Sequence, residues 1–387
     1  MKPGSPGIPV SSTEREHESA HSSAQFMRRA LELAARGLNS TDPNPRVGCV
    51  LVRAGQIVGE GWHERAGEPH AEVHALRAAG AAARGATAYV TLEPCAHVGR
   101  TPPCAAALID AGVARVVYAI PDPNPRVNGA GAAALSQAGI EVANGLLAAE
   151  AQALNPGFFK RMQTGLPWVR VKLGASLDGR TALANGASRW ITSSEAREDV
   201  QLFRARSSAI LSTSGTVLAD DPALTVRLGQ ASRQPLRVVL DSELRIPESA
   251  RVYGGAGQAL VFAADRALPR RAALERLGVR VEYAARAVDG GLQLEPILRR
   301  LAQLELNEIW VEAGARLAGA LLQARLVDEL ILYLAPSLLG PQARPLVALP
   351  AIDQLEQRLS GQYADCTRIG EDLRVTFRPT MRSPACE

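Results

Sequence analysis

Gly67-Glu68-Pro69-His70-Ala71-Glu72-Val73-His74-Ala75-Leu76, then Thr87-Ala88-Tyr89-Val90-Thr91-Leu92-Glu93-Pro94-Cys95, then Pro102-Pro103-Cys104, decide how the first half of this chain is read. One imidazole and two thiols can hold zinc on three sides and leave the fourth corner to water, the arrangement of a catalytic site. Glu72 lies two residues past the His, near a metal without being one of its ligands, where a carboxylate can move protons. That set is the signature of hydrolytic deamination of a pyrimidine or purine ring. His70 opens a helix after Pro69, Cys95 follows a strand, and Cys104 opens a second helix after Pro103. Helix N-termini favour thiolates, the form that binds metal. Taken singly, a His after Pro reads as a surface residue and a Cys after a strand as a small buried apolar group. The rival for the set is a structural zinc with four protein ligands. His74, four residues past His70 on the same helix face, would be the fourth, and Glu72 would then have no task.

Outward from these segments the pattern alternates strands and helices. Gln25–Arg36 carries apolar residues at helical spacing and stops at Gly37. Val47–Val52 and Ile57–Trp62 read as a hairpin, Ala71–Ala82, Ala105–Ala111 and Gly131–Ala138 as helices, and Thr87–Leu92 and Val113–Ile120 as strands. This predicts a three-layer α/β domain. Pro156-Gly157 breaks a helical connector, and Trp168–Leu173 opens a second β-rich series. Its further strands are Ala209–Ser212, Leu236–Asp241, Ala259–Phe262, Val279–Tyr283, Glu308–Glu312 and Glu329–Ala335, with helices Ser194–Arg206, Ala267–Leu277, Leu294–Leu304 and Gly314–Ala324 between them. The expected organisation is a disordered extension over 1–23, a zinc-dependent deaminase domain over 24–165 and a second α/β domain over 166–387. Two domains also suit 387 residues.

Composition excludes several classes. The net charge of +4 is small, aromatics make up 4% of residues, and Lys occurs only at 2, 160 and 172, so no basic-aromatic nucleic-acid surface is indicated. No stretch is apolar enough to span a bilayer, and the first residues do not read as a signal peptide. Five Cys, two of them assigned to metal, suit a reducing cytoplasm. Cys49 reads as a buried strand residue; Cys366 and Cys386 have no evident partner. Asp42-Pro43-Asn44-Pro45-Arg46-Val47 recurs as Asp122-Pro123-Asn124-Pro125-Arg126-Val127. The copies read either as rigid Pro-rich turns or as loops that point Asn44, and Asn124, into the deaminase pocket.

The metal segments, with Gly99-Arg100-Thr101-Pro102-Pro103-Cys104, closely resemble the bifunctional riboflavin-biosynthesis deaminase–reductase family. Eight residues separate Cys95 from Cys104, where other zinc deaminases space the pair by two. Family members mostly begin that spacer Ser-His-His; this chain has Ala96-His97-Val98, which leaves the ligands untouched. The likeness continues through Lys172–Ala182, Ser188-Arg189-Trp190-Ile191-Thr192, Asp199–Arg206, Thr216–Arg227 and Val311–Gly319, and covers about residues 25 to 380.

The resemblance implies a cytidine-deaminase-like α/β/α first domain and a dihydrofolate-reductase-like α/β second domain. It implies one zinc per chain, NADPH as hydride donor and a pyrimidine ribosyl phosphate as substrate, deaminated and then reduced at the ribosyl C1′. A homodimer or higher homo-oligomer also follows from it, while composition alone indicates no nucleic-acid or membrane partner. Carried over residue by residue, it puts the dinucleotide near Gly174, Trp190, Thr216, Asp220, Ser242, Gly314, Ala315, Arg316, Leu317, Ala318, Gly319 and Ala320. It puts the substrate near Ser188, Arg204, Leu224, Arg227 and Glu312. Arg204 and Arg227 could clamp a phosphate bidentately, or Arg204 could be a solvated helix residue. Ser242 follows a strand, where an adenosine ribose or its 2′-phosphate lies in such sheets. Lys172 and Asp178 are expected near the hydride, or else as halves of ion pairs. A Gly-x-Gly-x-x-Gly fingerprint is absent from the start of this domain. A nucleic-acid deaminase would want a basic aromatic groove and the short Cys spacer; a non-enzymatic zinc module would want His74 on the metal; a dead deaminase would lack Glu72 or a ligand.

Overall fold

The computed structural model describes residues 12–96, 103–125, 127–229, 233–265 and 270–380. The readings for residues 1–11, His97 and the spacer after it, Arg126 and Cys386 lie outside these. The chain divides into two compact units, Met1–Gln163 and Thr164–Glu387. No helix among the described residues is long and apolar enough to cross a membrane.

The first unit runs α1 (Ser12–Ala35), β1 (Gly48–Arg53), β2 (Gln56–Trp62), α2 (Ala71–Ala79), β3 (Thr87–Val90), α3 (Cys104–Ala111), β4 (Arg115–Tyr118), α4 (Ala130–Gln137), β5 (Glu141–Asn144), α5 (Ala148–Leu154) and α6 (Pro156–Thr164). Its sheet has the order β2-β1-β3-β4-β5, with β1 antiparallel to both neighbours and β3, β4 and β5 parallel. One face packs Val50, Val52, Tyr89 and Val117 against Met27, Ala30 and Leu33 of α1. The other packs Cys49, Leu51, Val90 and Val116 against Ala71, Ala75, Leu108 and Leu135 of α2, α3 and α4. These are the three expected layers. One expectation is corrected: α1 starts at Ser12, so residues 12–23 are helical rather than disordered. The run lacks Gly and Pro, the residues least suited to a helix.

The second unit runs β6 (Trp168–Ser176), β7 (Arg180–Ala182), α7 (Ser194–Arg206), β8 (Ala209–Thr213), α8 (Ser214–Asp220), β9 (Leu236–Leu240), β10 (Ala259–Ala263), α9 (Arg270–Arg276), β11 (Arg280–Tyr283), α10 (Leu294–Gln303), β12 (Glu308–Glu312), α11 (Ala315–Gln323), β13 (Glu329–Ala335), β14 (Arg344–Pro345), β15 (Gly361–Ile369) and β16 (Asp372–Pro379). Nine strands form one sheet, β11-β10-β9-β8-β12-β6-β13-β16-β15; the first seven are parallel, and β16 and β15 are antiparallel additions. Val169, Val171, Leu211, Val238, Ile309 and Val311 face α10 and α11, while Ile210, Val239, Trp310, Ile331 and Tyr333 face the α7 side. Trp310 is fully buried and stacks on Phe203 of α7 at 4.8 Å between ring centroids. A buried aromatic of that size stabilises by about 2–3 kcal/mol.

The β15–β16 hairpin ties back to α7. Ser193, the cap of α7, donates its N–H and its hydroxyl to the buried Asp372 carboxylate at 2.8 and 3.0 Å. Arg374 donates to Asp199 of α7 at 3.0 Å, and the Tyr333 hydroxyl donates to the same carboxylate at 2.6 Å. At the entry end of the strands, buried Arg170 sits between Glu308 and Glu329.

Candidate functional site

In the first unit the sequence brings its three metal-binding side chains to one point by backbone packing. Helix α2 lies so close on β2 that a Cβ on Gly61 would stand 2.4 Å from the Ala71 carbonyl oxygen. Only glycine allows that approach, and His70, which caps α2, is delivered by it. Cys95 lies in the loop after β3, and Cys104 opens α3. The Cys104 N–H points at the Cys95 sulfur, 3.4 Å away. His70 Nδ1 stands 3.7 Å from Cys95 Sγ and 3.3 Å from Cys104 Sγ. All three donor atoms lie within 4.8 Å of one another, and no further His, Cys, Asp or Glu among the described residues joins them. His74, the rival fourth ligand, stands outside this group.

The electrostatics fit a cation. The Cys95 thiol is pulled down to about 4 by its contact with the Cys104 thiol, against burial, with help from His70 and the Cys104 N–H. That contact and burial push Cys104 up. The His70 imidazole is raised by Cys95. Glu72, in the first turn of α2, is 3% exposed; burial raises its carboxyl, and Oε2 has no hydrogen-bond partner. A buried carboxylate oxygen left unmatched is costly unless something else satisfies it. Two soft sulfurs and a nitrogen, aimed at one point beside such an oxygen, suit zinc with an open position.

The two copies of the Asp-Pro-Asn-Pro-Arg-Val repeat reach the same edge of the sheet. The first precedes β1 and the second follows β4; because β1 runs antiparallel to β3 and β4 parallel, both lie where β3 ends and Cys95 begins. Asn44 Nδ2 pairs with His63 Nε2 at 3.0 Å, and His63 Nδ1 with the Pro69 carbonyl at 3.1 Å. A carbonyl only accepts, so the proton is on Nδ1 and Nε2 accepts from Asn44. Burial lowers the His63 imidazole to about 4, so it is neutral at pH 7. His63 thereby links the residue before His70 to Asn44, a link the sequence reading did not contain. Asn124 closes its own turn, its N–H donating to Asp122 Oδ1 at 2.8 Å. Burial, with Glu93 and Cys95 nearby, raises the Asp122 carboxyl to about 6.

In the second unit the expected residues gather along the exit ends of the parallel strands. Lys172 and Gly174 lie in β6, Thr216 and Asp220 in α8 after β8, Ser242 just past β9, Glu312 at the end of β12, and Gly314 caps α11. Ser188 and Trp190 lie in the loop before α7, whose Arg189 donates to the Asp220 carbonyl at 2.8 Å. Trp190 is 69% exposed, with the Arg197 guanidinium 4.4 Å from its ring centroid. Lys172 and Glu312 are register partners on adjacent strands. Arg204 grips Glu312 with Nε and Nη2 at 2.6 and 2.8 Å and donates Nη1 to the Thr225 carbonyl at 2.9 Å. Burial alone would raise the Glu312 carboxyl, but Arg204, Lys172 and the Trp310 indole outweigh it and hold it at about 2. Burial lowers the Lys172 ammonium.

Four expectations change. The Arg204 fork is bound to Glu312, not held open beside Arg227 for a phosphate, because a buried guanidinium takes the nearest carboxylate. Arg227 is exposed, and its main-chain N–H is held by Gln201 at 3.0 Å. Leu224 is a core residue, 1% exposed, so its side chain serves packing rather than a ligand. Of Gly314–Ala320, residues Leu317, Ala318 and Gly319 pack inward, and a Cβ on Gly319 would stand 1.9 Å from the Ala348 carbonyl oxygen. Asp178 is neither free nor in an ion pair: it accepts the Ser176 hydroxyl and the N–H groups of Leu339 and Gly340, and these contacts, the Ser176 one foremost, hold its carboxyl at about 2.

Residues 20–120 match the cytidine and deoxycytidylate deaminase zinc-binding region, and residues 167–375 match the RibD C-terminal domain. The riboflavin biosynthesis protein RibD of Escherichia coli strain K12 is 52% identical over 360 residues, covering 90% of this chain and 97% of its own. The chain belongs to the RibD family. RibD of Acinetobacter baumannii superposes with a TM-score of 0.88 at 46% identity, over 93% of this chain and 99% of that one. A diaminohydroxyphosphoribosylaminopyrimidine deaminase/5-amino-6-(5-phosphoribosylamino)uracil reductase from Thermotoga maritima superposes with a TM-score of 0.83 at 32% identity, over 94% of this chain and 100% of that one. As a RibD-family protein the chain is a deaminase and reductase of riboflavin biosynthesis, with a cytidine-deaminase-like first domain. A zinc-binding deaminase domain and a reductase domain together imply zinc and a nicotinamide cofactor.

Proposed function

We propose that the first unit removes the exocyclic amine of 2,5-diamino-6-ribosylamino-4(3H)-pyrimidinone 5′-phosphate and that the second reduces the ribosyl group of the product with NADPH, giving 5-amino-6-ribitylamino-uracil 5′-phosphate. The observation that carries this reading is the convergence of His70, Cys95 and Cys104 beside the unmatched Oε2 of buried Glu72. His70 Nδ1 and the two sulfurs would hold zinc, one ion per chain. Zinc supplies a Lewis acid that makes a water nucleophilic near neutral pH. Glu72 Oε2 would take one proton from the attacking water and hand it to a ring nitrogen, then take the second from the added hydroxyl and hand it to the amine, which departs as ammonia. Its raised pKa suits both directions of transfer. Asn44, its amide oriented by neutral His63, offers Oδ1 to the pyrimidine edge.

In the second unit the dinucleotide lies along the exit ends of the strands, near Gly174, Trp190, Thr216, Asp220 and Ser242, with a phosphate at the Gly314–Arg316 end of α11. Arg227, exposed and within the field of Glu312, meets the substrate phosphate. The Lys172–Glu312–Arg204 cluster borders the ribosyl C1′, which receives the hydride.

A spectrophotometric assay with the diaminopyrimidinone ribosyl phosphate tests the reading. Ammonia is released without NADPH, and NADPH is consumed only after that release. NADPH oxidation that runs ahead of ammonia would overturn the order, and no ammonia from the zinc-loaded protein would overturn the first step.

A further inference from the structure

Glu93, between the end of β3 and Pro94-Cys95, has no place in the chemistry above, yet it is one of the most buried acids of the first unit, at 3% exposure. Its carboxylate accepts three backbone N–H groups from a single distant segment. Oε2 takes those of Asp122 at 3.3 Å and Gly129 at 3.2 Å, and Oε1 takes that of Ala132 at 3.3 Å. Gly129 caps α4, and no side chain of its own segment supplies the capping bond. The first N–H groups of a helix have no intrahelical acceptor, and a carboxylate there also meets the positive end of the helix. Glu93 therefore caps α4 from outside. The fit is tight: a Cβ on Gly131 would stand 1.7 Å from the Pro94 carbonyl oxygen. The segment so held carries the second copy of the repeat, with Asp122 in the electrostatic neighbourhood of Cys95 and the Asn124 turn closed on Asp122.

We propose that Glu93 is a positioning residue for deamination: its carboxylate fixes Asp122 and the start of α4 against the strand end that carries Cys95, so that Asn124 meets the pyrimidine in one orientation. This deepens the function proposed above and rests on it. Glu93 touches neither metal nor substrate and acts through the loop. Its removal therefore falls on substrate binding more than on proton transfer, and falls less on a protein that already lacks Asn124.

The test uses the full-length zinc-loaded protein with Glu93→Gln, and with Glu93→Asp as a second variant that keeps the charge and loses reach. Both retain one zinc per chain and the wild-type reductase rate on pre-deaminated substrate. The deaminase KM rises at least tenfold, and kcat falls less than threefold. In an Asn124→Ala background, Glu93→Gln changes KM less than twofold. A KM within twofold of wild type, loss of zinc, or a full multiplicative effect on top of Asn124→Ala overturns the proposal. Failure of both variants to fold assigns Glu93 to stability alone and overturns it too. If the wild-type protein itself releases no ammonia, the underlying function has failed, not the role of Glu93.

Discussion

The two chemical centres of this chain are built on opposite principles. In the first unit the reactive side chains are short of partners: two sulfurs and an imidazole nitrogen converge, and Glu72 Oε2 has no hydrogen bond. In the second unit two of the expected charged residues are already satisfied. Arg204 is spent on Glu312 and Thr225, and Asp178 on Ser176 and two backbone amides. Unmatched donors in a buried setting ask for an external partner, a metal and the water beside it. Matched charges instead make a rigid wall against which a cofactor and a sugar can be laid. Catalysis at the first centre thus rests on single atoms, and at the second on a scaffold.

The sharpest way to break this contrast is Glu72→Gln. It keeps the zinc and costs deamination about 10²–10⁴-fold, the usual share of one proton-transferring residue; ammonia release and bound-metal analysis check it, and reductase activity is unchanged. Next, Glu312→Gln leaves the buried Arg204 charge without its partner and destabilises the second unit by about 3–5 kcal/mol, read by denaturant unfolding, while the first unit still deaminates. Acid sharpens the same point. Glu312 titrates at about 2 in the fold, against about 4.3 unfolded. The folded carboxylate binds fewer protons, so the pair's contribution is fully present above pH of about 4.3 and is lost as pH falls toward about 2. Thermal melts across that window show the loss, and Glu312→Gln abolishes this component. Asp372→Ala removes the acceptor for the cap of α7 and costs about 1–3 kcal/mol, read as a lower Tm for the second unit. Smallest, Arg227→Ala raises the KM of the reductase step by about tenfold, equivalent to about 1.4 kcal/mol, with kcat and deamination unchanged.

The metal centre was legible because its chemistry resides in residue types at fixed places in strand–loop–helix units. His70, Cys95 and Cys104 were named from the sequence, and the fold brings their donor atoms within 4.8 Å. The parallel strands were legible as β-branched runs. What was missed is carried by partnership rather than identity. Nothing in a linear string says that Glu93 caps a helix some forty residues on, or that His63 orients Asn44. The same holds for Arg204: its residue type suits a phosphate as well as a carboxylate, and only the packing of α7 against β12 selects Glu312. The β15–β16 hairpin left a readable trace, since Leu373, Val375 and Phe377 alternate with polar residues and Gly370 turns the chain. Residues 12–23 were misjudged because polarity was taken for disorder, whereas a polar run with three Glu and neither Gly nor Pro is also compatible with a helix.

The Asp372–Ser193 and Arg374–Asp199 ties carry one more consequence, for biosynthesis of the chain itself. The helix that presents Arg204 to the reductase centre is anchored by residues 175 and 179 positions further along the chain. A ribosome that halts before Asp372 has already released every group the metal centre needs, yet α7 lacks these two ties and keeps those to β12 and β13. Chains cut before Asp372 would therefore split the two activities, and reduction would be the one that reports the presence of the β15–β16 hairpin.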